Sequence, residues 1–264
     1  ALPILKKDIA YRRVKEVADF FKDDDVKLFA KRINSTLRGN IGSEIDGVLD
    51  SLSKDTIALV VPAFPSSGRV CIGDYLMVNQ VPLEKTDVAT DPKTPVKTSK
   101  VTSIIKNQTD KKVGFIDLDK VLKGIDSIKN ALSKEIENGS RIIVIDATTD
   151  EDIDNIAKTV KNMNINVISV DPGPFTAALS KELLGEPEVG PGQKLMVTVG
   201  SVSNLTRKQM EEFKLARSPL ILEANAKKLI YDSTCQEEVN RVSQKLLEKM
   251  DNYNIIGVTT TNNE

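Results

Sequence analysis

Apolar positions along this chain switch repeatedly between a helical period and short unbroken runs. Ile9–Phe21 has helical spacing, Val26–Ile33 reads as a strand, and Ile41, Ile45, Val48, Leu49 and Leu52 mark one face of a helix. Ile57–Val61 is an apolar, β-rich strand. A Pro-, Gly- and Asp-rich stretch follows over Pro62–Ser99, in which Val70–Ile72 and Tyr75–Val78 flank Gly73-Asp74 as in a hairpin. Val113–Ile116 predicts a strand, and Val121–Ile136 a long amphipathic helix closed by Asn138-Gly139. Arg141–Asp146 reads as a buried strand, Asp150–Met163 as a helix with Thr148 and Glu151 as its capping box, Val167–Val170 as a strand and Phe175–Leu184 as a helix. This order predicts an α/β fold, a mainly parallel sheet with helices on both faces.

Gly185–Gln193 is a Gly/Pro-rich linker and the best domain boundary, which divides the chain into 1–184, a linker at 185–193, and 194–264. Beyond it Lys194–Val199 reads as a strand, and Thr206 with Gln209 as the cap of a helix running to about Leu215. Leu220–Glu223, Glu237–Met250 and Ile255–Thr259 continue the alternation as the start of a second α/β domain. The chain opens without Met directly before a helix and stops just past a strand, so a fragment of a longer protein is expected.

Composition narrows the function classes. Lys and Arg number 37 against 38 Asp and Glu, so the net charge of −1 gives no electrostatic case for nucleic acid or an acidic membrane. Aromatic residues make up 4%, so stacking platforms are scarce. No apolar run approaches the ~20 residues of a membrane span, and the first residues lack a signal-peptide core. Cys71 and Cys235 lie far apart, as reduced thiols of a cytoplasmic protein would. The chain has no His, which excludes Ser-His-Asp and Cys-His chemistry and His-ligated zinc. Catalysis would have to use carboxylates, Lys, Arg, backbone amides or a metal on oxygen ligands.

Against that background Lys31–Asn40, KRINSTLRGN, stands out. It follows a strand, precedes a helix, and gathers Lys31, Arg32, Asn34, Ser35, Thr36, Arg38 and Asn40 around Gly39. Ligands in open α/β sheets bind beyond the carboxyl ends of strands. A helix N-terminus there offers N–H groups and a positive dipole to an anion, and Arg38 can add a bidentate fork for a carboxylate. A polar, capped turn without a ligand fits the spacing equally well. Asp171-Pro172-Gly173-Pro174 precedes another helix and reads mainly as capping, although it could line the same cleft. Asp146 and Asp150 also read as capping groups rather than magnesium ligands. Gly200–Ser203 sits where hydroxyls and amides suit a phosphate or ribose.

KRINSTLRGN, which ends in S-T-L-R-G-N, resembles the signature of the four-carbon acid sugar kinase family. Pro62-Ala63-Phe64-Pro65 followed by Gly68-Arg69 resembles a second family segment, as do Val78-Asn79, Val81-Pro82-Leu83, Asp91-Pro92 and Gly200-Ser201-Val202-Ser203 with Thr206. The resemblance implies ATP-dependent phosphorylation, with Mg²⁺, of the terminal hydroxyl of a threonate-, erythronate- or 3-oxo-tetronate-type acid, in a cleft between two α/β domains. It implies that Lys31, Asn34, Ser35, Thr36, Arg38, Gly39 and Asn40, with Arg69, serve the sugar acid, and that Ser201 and Ser203 serve the nucleotide. The region 1–184 would then bind the sugar acid, and 194–264 would begin the nucleotide domain. Homo-oligomerisation stays open.

The family's D-D-x-T-G-A segment and its later Gly-rich loop are absent from these residues, Asn34 stands where Asp is common, and Asp171–Pro174 replaces a G-S-A-G turn. The alternative reading is therefore a non-catalytic sugar-acid-binding module. A dehydrogenase finds no G-x-G-x-x-G after a strand. No catalytic base or metal ligand is assigned.

Overall fold

Alternate residues of the central strands enter two separate cores, because side chains on a strand point to opposite faces with period two. Ala58, Val60, Ile142, Val144, Ile168 and Val170 pack on one side with Ile41, Ile45, Val48 and Leu49. Ile57, Leu59, Ile143 and Ile145 pack on the other with Ile128, Leu132, Ile153, Ile156 and Phe175. A sheet with an apolar core on each face needs helices on both, and the computed structural model has them. It describes residues 5–23, 25–92, 94–185, 194–200, 204–230 and 232–260.

The elements run α1 (Lys7–Phe21), β1 (Phe29–Arg32), α2 (Ile41–Leu49), β2 (Ile57–Val60), β3 (Arg69–Ile72), β4 (Tyr75–Val78), β5 (Val81–Pro82), α3 (Val101–Lys106), β6 (Val113–Ile116), α4 (Leu118–Leu122), α5 (Ile125–Glu137), β7 (Ile142–Ile145), α6 (Asp150–Met163), β8 (Val167–Asp171) and α7 (Pro174–Leu184). The main sheet has the order β1-β8-β2-β7-β6, with every pairing parallel. The hairpin β3–β4 extends through β5 as a small antiparallel sheet. Gly47 lets α1 and α2 approach closely: a Cβ there would lie 2.7 Å from the Tyr11 carbonyl oxygen.

The chain divides into two compact units, residues 1–187 and 188–264. The second has β9 (Leu195–Val199), α8 (Asn204–Arg217), β10 (Leu220–Glu223), α9 (Ala226–Ile230), α10 (Asp232–Lys249) and β11 (Ile255–Thr259). Its parallel sheet runs β10-β11-β9 over a core of Ala224, Val242, Leu246 and Ile256. Of the expected linker 185–193, only Gly185 is among the described residues.

Several local expectations are corrected. The strand expected at Val26–Ile33 contracts to Phe29–Arg32, because as an edge strand it pairs only with β8. The helix α2 ends at Leu49, which leaves Leu52 beyond it. The single helix expected over Val121–Ile136 is two, α4 and α5, broken at Gly124 with φ +86°, a conformation other residues adopt only with strain. The capping box of α6 uses Thr149 and Asp152, one residue along from the expected pair. Thr206 lies inside α8 rather than capping it.

Candidate functional site

Parallel pairing puts the carboxyl ends of the strands along one edge. Arg32 lies opposite Asp171, and Val60 opposite both Val170 and Val144. The turns after β1, β2, β7 and β8 therefore leave the sheet together, where open α/β sheets bind ligands. They contribute Lys31–Asn40, the segment running to Arg69, Asp146 and Asp171–Pro174.

The first of these turns is built by its own polar groups. The Asn34 carboxamide oxygen accepts from the Thr36 amide at 2.9 Å and from the Thr36 hydroxyl at 2.5 Å. Leu37, at φ +55°, drops its side chain into the core. Gly39, at φ +104°, occupies a conformation suited to glycine. Asn40 is the residue before α2, but its amide donates to the Leu5 carbonyl at 2.7 Å instead of capping the helix.

Distant residues then lock the turn. Gln108 donates to the Gly39 carbonyl at 3.0 Å and accepts from the Gly42 amide at 2.9 Å. This occupies one first-turn amide of α2, so charged side chains must carry more of any anion affinity. Lys31 pairs with Glu44 at 2.6 Å and donates to the Arg32 carbonyl at 2.6 Å, and both side chains of the pair are about nine-tenths buried. Arg38 pairs with Asp91 at 2.8 Å. The Arg38 Nε is buried and has no protein acceptor. Glu44 and Gln108 stand outside the motifs quoted above, and Asp91 enters them only as part of Asp91-Pro92. Only Glu44 carries a local cue, as an acidic residue in the first turn of α2; Gln108 is 69 residues from Gly39 and could be found only by folding.

These groups surround a cavity of about 340 Å³ lined by Lys31, Arg32, Asn34, Arg38, Gly39 and Glu44, among others. A second cavity, about 310 Å³, shares Arg38 and Gly39 and adds Lys97, Thr98 and Gln108. A larger one, about 730 Å³ between α1 and β1, is walled by Val14, Val17, Phe21, Val26 and Leu28, and offers a polar ligand few partners. Of the other expected site residues, Ser35 and Thr36 lie on the turn, half-buried. Arg69 opens β3 and donates to the Ser67 carbonyl. Its Nε is also buried without a protein acceptor, and among the described residues no hydrogen bond or ion pair joins it to 31–40. Ser201 and Ser203 lie outside the described residues.

The other strand ends are structural. The Asp146 carboxylate accepts from the amides of Gly73 at 2.5 Å, Asp74 at 3.1 Å and Leu118 at 3.1 Å, which ties the hairpin and α4 to β7. Burial raises its pKa above the ordinary carboxylate value despite those donors. Asp150 is the first residue of α6, whose cap is Thr149. Asp171 accepts from the Gly173 amide at 2.6 Å and from the Thr176 hydroxyl, so it stabilises the turn before α7. Among the described residues, no group of three or more Cys, Asp and Glu side chains is placed to hold a metal ion, and no helix is long and apolar enough to cross a membrane.

The parallel α/β domain carries a charged cavity at its carboxyl edge, where sheets of this class bind small molecules. The sugar-binding N-terminal domain model matches residues 4–179. With this match, the chain belongs to the four-carbon acid sugar kinase family. It is 45% identical over 251 residues to a D-erythronate kinase of Heliobacterium modesticaldum, covering 95% of this chain and 57% of that protein. It is 31% identical to a D-threonate kinase of Salmonella typhimurium, over 82% of this chain and 50% of that protein. A 3-oxo-tetronate kinase of Brucella melitensis is 28% identical, over 73% and 45%. The chain thus spans about half the length of these relatives. The fold matches a solved Haemophilus influenzae protein with a TM-score of 0.65 at 21% identity, over 98% of this chain and 63% of that one. It also matches a Bordetella bronchiseptica protein, solved with citrate as a domain-swapped dimer, with a TM-score of 0.58 at 22% identity, over 99% and 62%.

Proposed function

We propose that this chain supplies the sugar-acid side of a kinase that transfers a phosphoryl group from ATP to the terminal hydroxyl of a four-carbon sugar acid, of the erythronate, threonate or 3-oxo-tetronate type. The observation that carries the reading is Arg38. Its guanidinium is held by Asp91 beside the polar cavity, with a buried Nε that no protein atom accepts. Buried donors are almost always satisfied, so this one takes a partner from outside the protein, a role that a ligand oxygen at the cavity can fill. Asn34, Ser35 and Thr36 suit the acid's hydroxyls and Arg38 Nε its oxygens, with Lys31 and Arg69 completing the sugar-acid side. The names of the relatives support the same substrate class.

ATP would supply the transferred phosphoryl group, and Mg²⁺ would supply charge compensation on its phosphates; phosphoryl transfer needs positioning and charge compensation more than covalent chemistry. The nucleotide would fall to the unit 188–264 with Ser201 and Ser203. There a cavity of about 150 Å³ at the ends of β10 and β11 is lined by Arg207, Lys214, Glu223 and Thr259. The Arg207 Nε is buried without a protein acceptor, so Arg207 and Lys214 suit phosphate oxygens. The described residues do not build a magnesium site, and no step is assigned to one. A cytoplasmic enzyme completes the reading, and its oligomeric state stays open.

The test is an ATP-dependent phosphorylation assay of the complete gene product against a panel of four-carbon acids. Turnover of one of them is expected. Sugar-acid binding with neither ATP binding nor turnover would leave a non-catalytic binding module instead.

A further inference from the structure

Three cationic side chains line the polar cavity at the end of β1, and two already face a carboxylate. Lys31 has Glu44, and Arg38 has Asp91. Arg32, an exposed residue, lines the open rim of the same cavity and has no carboxylate partner among the described residues. The acid directly across the sheet, Asp171, is turned to its own loop, where the Gly173 amide and the Thr176 hydroxyl occupy it. Arg32 is nevertheless held in place. One terminal nitrogen donates to the Pro172 carbonyl. Gly173 leaves room for the guanidinium: a Cβ there would lie 2.3 Å from Arg32 Nη1 and 3.2 Å from its Cζ.

We propose that Arg32 takes the carboxylate of the sugar acid, with the Lys31–Glu44 and Arg38–Asp91 pairs closed around it. This rests on the sugar-acid reading above. The cavity's side chains and their partners together leave one positive charge, which matches one carboxylate. A guanidinium is a planar, weakly hydrated fork suited to that group. With one nitrogen engaged by Pro172, it keeps other N–H donors for the ligand while its direction is fixed. Arg38, anchored by Asp91, then serves the acid's oxygens through Nε rather than supplying the unpaired charge. Gly173, at φ +146°, is a positioning residue that does not touch the ligand, because a side chain there both strains the turn and displaces Arg32.

The test is calorimetric titration of D-erythronate, and of its uncharged counterpart erythritol, into this chain and its R32Q, R32K and G173A variants. In R32Q the affinity for erythronate should fall about tenfold or more, the scale of a charged hydrogen bond, while any erythritol affinity stays unchanged. R32K should recover part of the loss, and G173A should weaken erythronate binding with every charge retained. Erythronate binding unchanged in R32Q would overturn the assignment and leave the sugar-acid reading standing. Failure of the unsubstituted chain to bind erythronate would overturn both.

Discussion

Lys31 Nζ and Glu44 Oε2 lie 2.6 Å apart, with both side chains about nine-tenths buried, where β1 passes into α2. Desolvating two charges offsets much of what such a pair contributes, but removing one partner strands the other. Glu44→Ala should therefore destabilise the unit by about 3–5 kcal/mol, measured by urea unfolding. Adding Lys31→Met should recover a large part of that loss. An E44A chain of unchanged stability would show that Lys31 finds another partner.

Arg38 makes a prediction about binding rather than folding. Its side chain is about one-third exposed, so truncation removes little packing. Arg38→Ala should weaken sugar-acid binding by about 1.5–3 kcal/mol, the usual scale for a charged hydrogen bond, with little change in melting temperature. Unchanged affinity for D-erythronate by calorimetry would remove Arg38 from the site.

The contact between α1 and α2 tolerates no side chain at Gly47. The added methyl of Gly47→Ala meets the Tyr11 carbonyl oxygen at 2.7 Å and the Lys15 amide at 3.2 Å. The helices must separate, and a loss of about 1–3 kcal/mol is expected in chemical denaturation. Stability equal to the parent would mean that α1 moves away without cost.

In the second unit, Glu238 is buried against Arg241, which grips it at 2.6 and 2.9 Å, while the Asn225 amide donates to it at 2.7 Å. Arg241 first, and the Asn225 amide next, lower its pKa from 4.5 to about 2. A carboxylate with a depressed folded-state pKa stabilises the fold above its unfolded value and loses that contribution as pH falls through the folded one. The stability of this unit should decline between about pH 4.5 and pH 2. Glu238→Gln should be less stable at neutral pH and flatter across that window, as followed by acid titration of far-ultraviolet circular dichroism. An equal slope in both proteins would assign the decline to other groups.

The parallel architecture was legible because buried strands such as Ile142–Ile145 are unbroken apolar runs and helices such as Asp150–Met163 keep a clear period. The break at Gly124 was hidden because apolar spacing continues across it, while a single positive φ interrupts the helix. At the site, KRINSTLRGN announced its polar turn because those residues are contiguous. Its partners were invisible for the opposite reason: Asp91 stands 53 residues from Arg38 and Gln108 stands 69 from Gly39. The same limit applies to Arg32, whose lack of a counter-ion becomes evident only once Glu44, Asp91 and Asp171 are seen committed elsewhere.

The most direct measurement of the central claim is a nuclear magnetic resonance titration of the isotope-labelled chain with D-erythronate, following the backbone amides. The sugar-acid reading predicts saturable shifts concentrated at residues 31–44, with smaller ones at the 171–174 turn. Shifts confined to other parts of the chain, or none at millimolar acid, would contradict it.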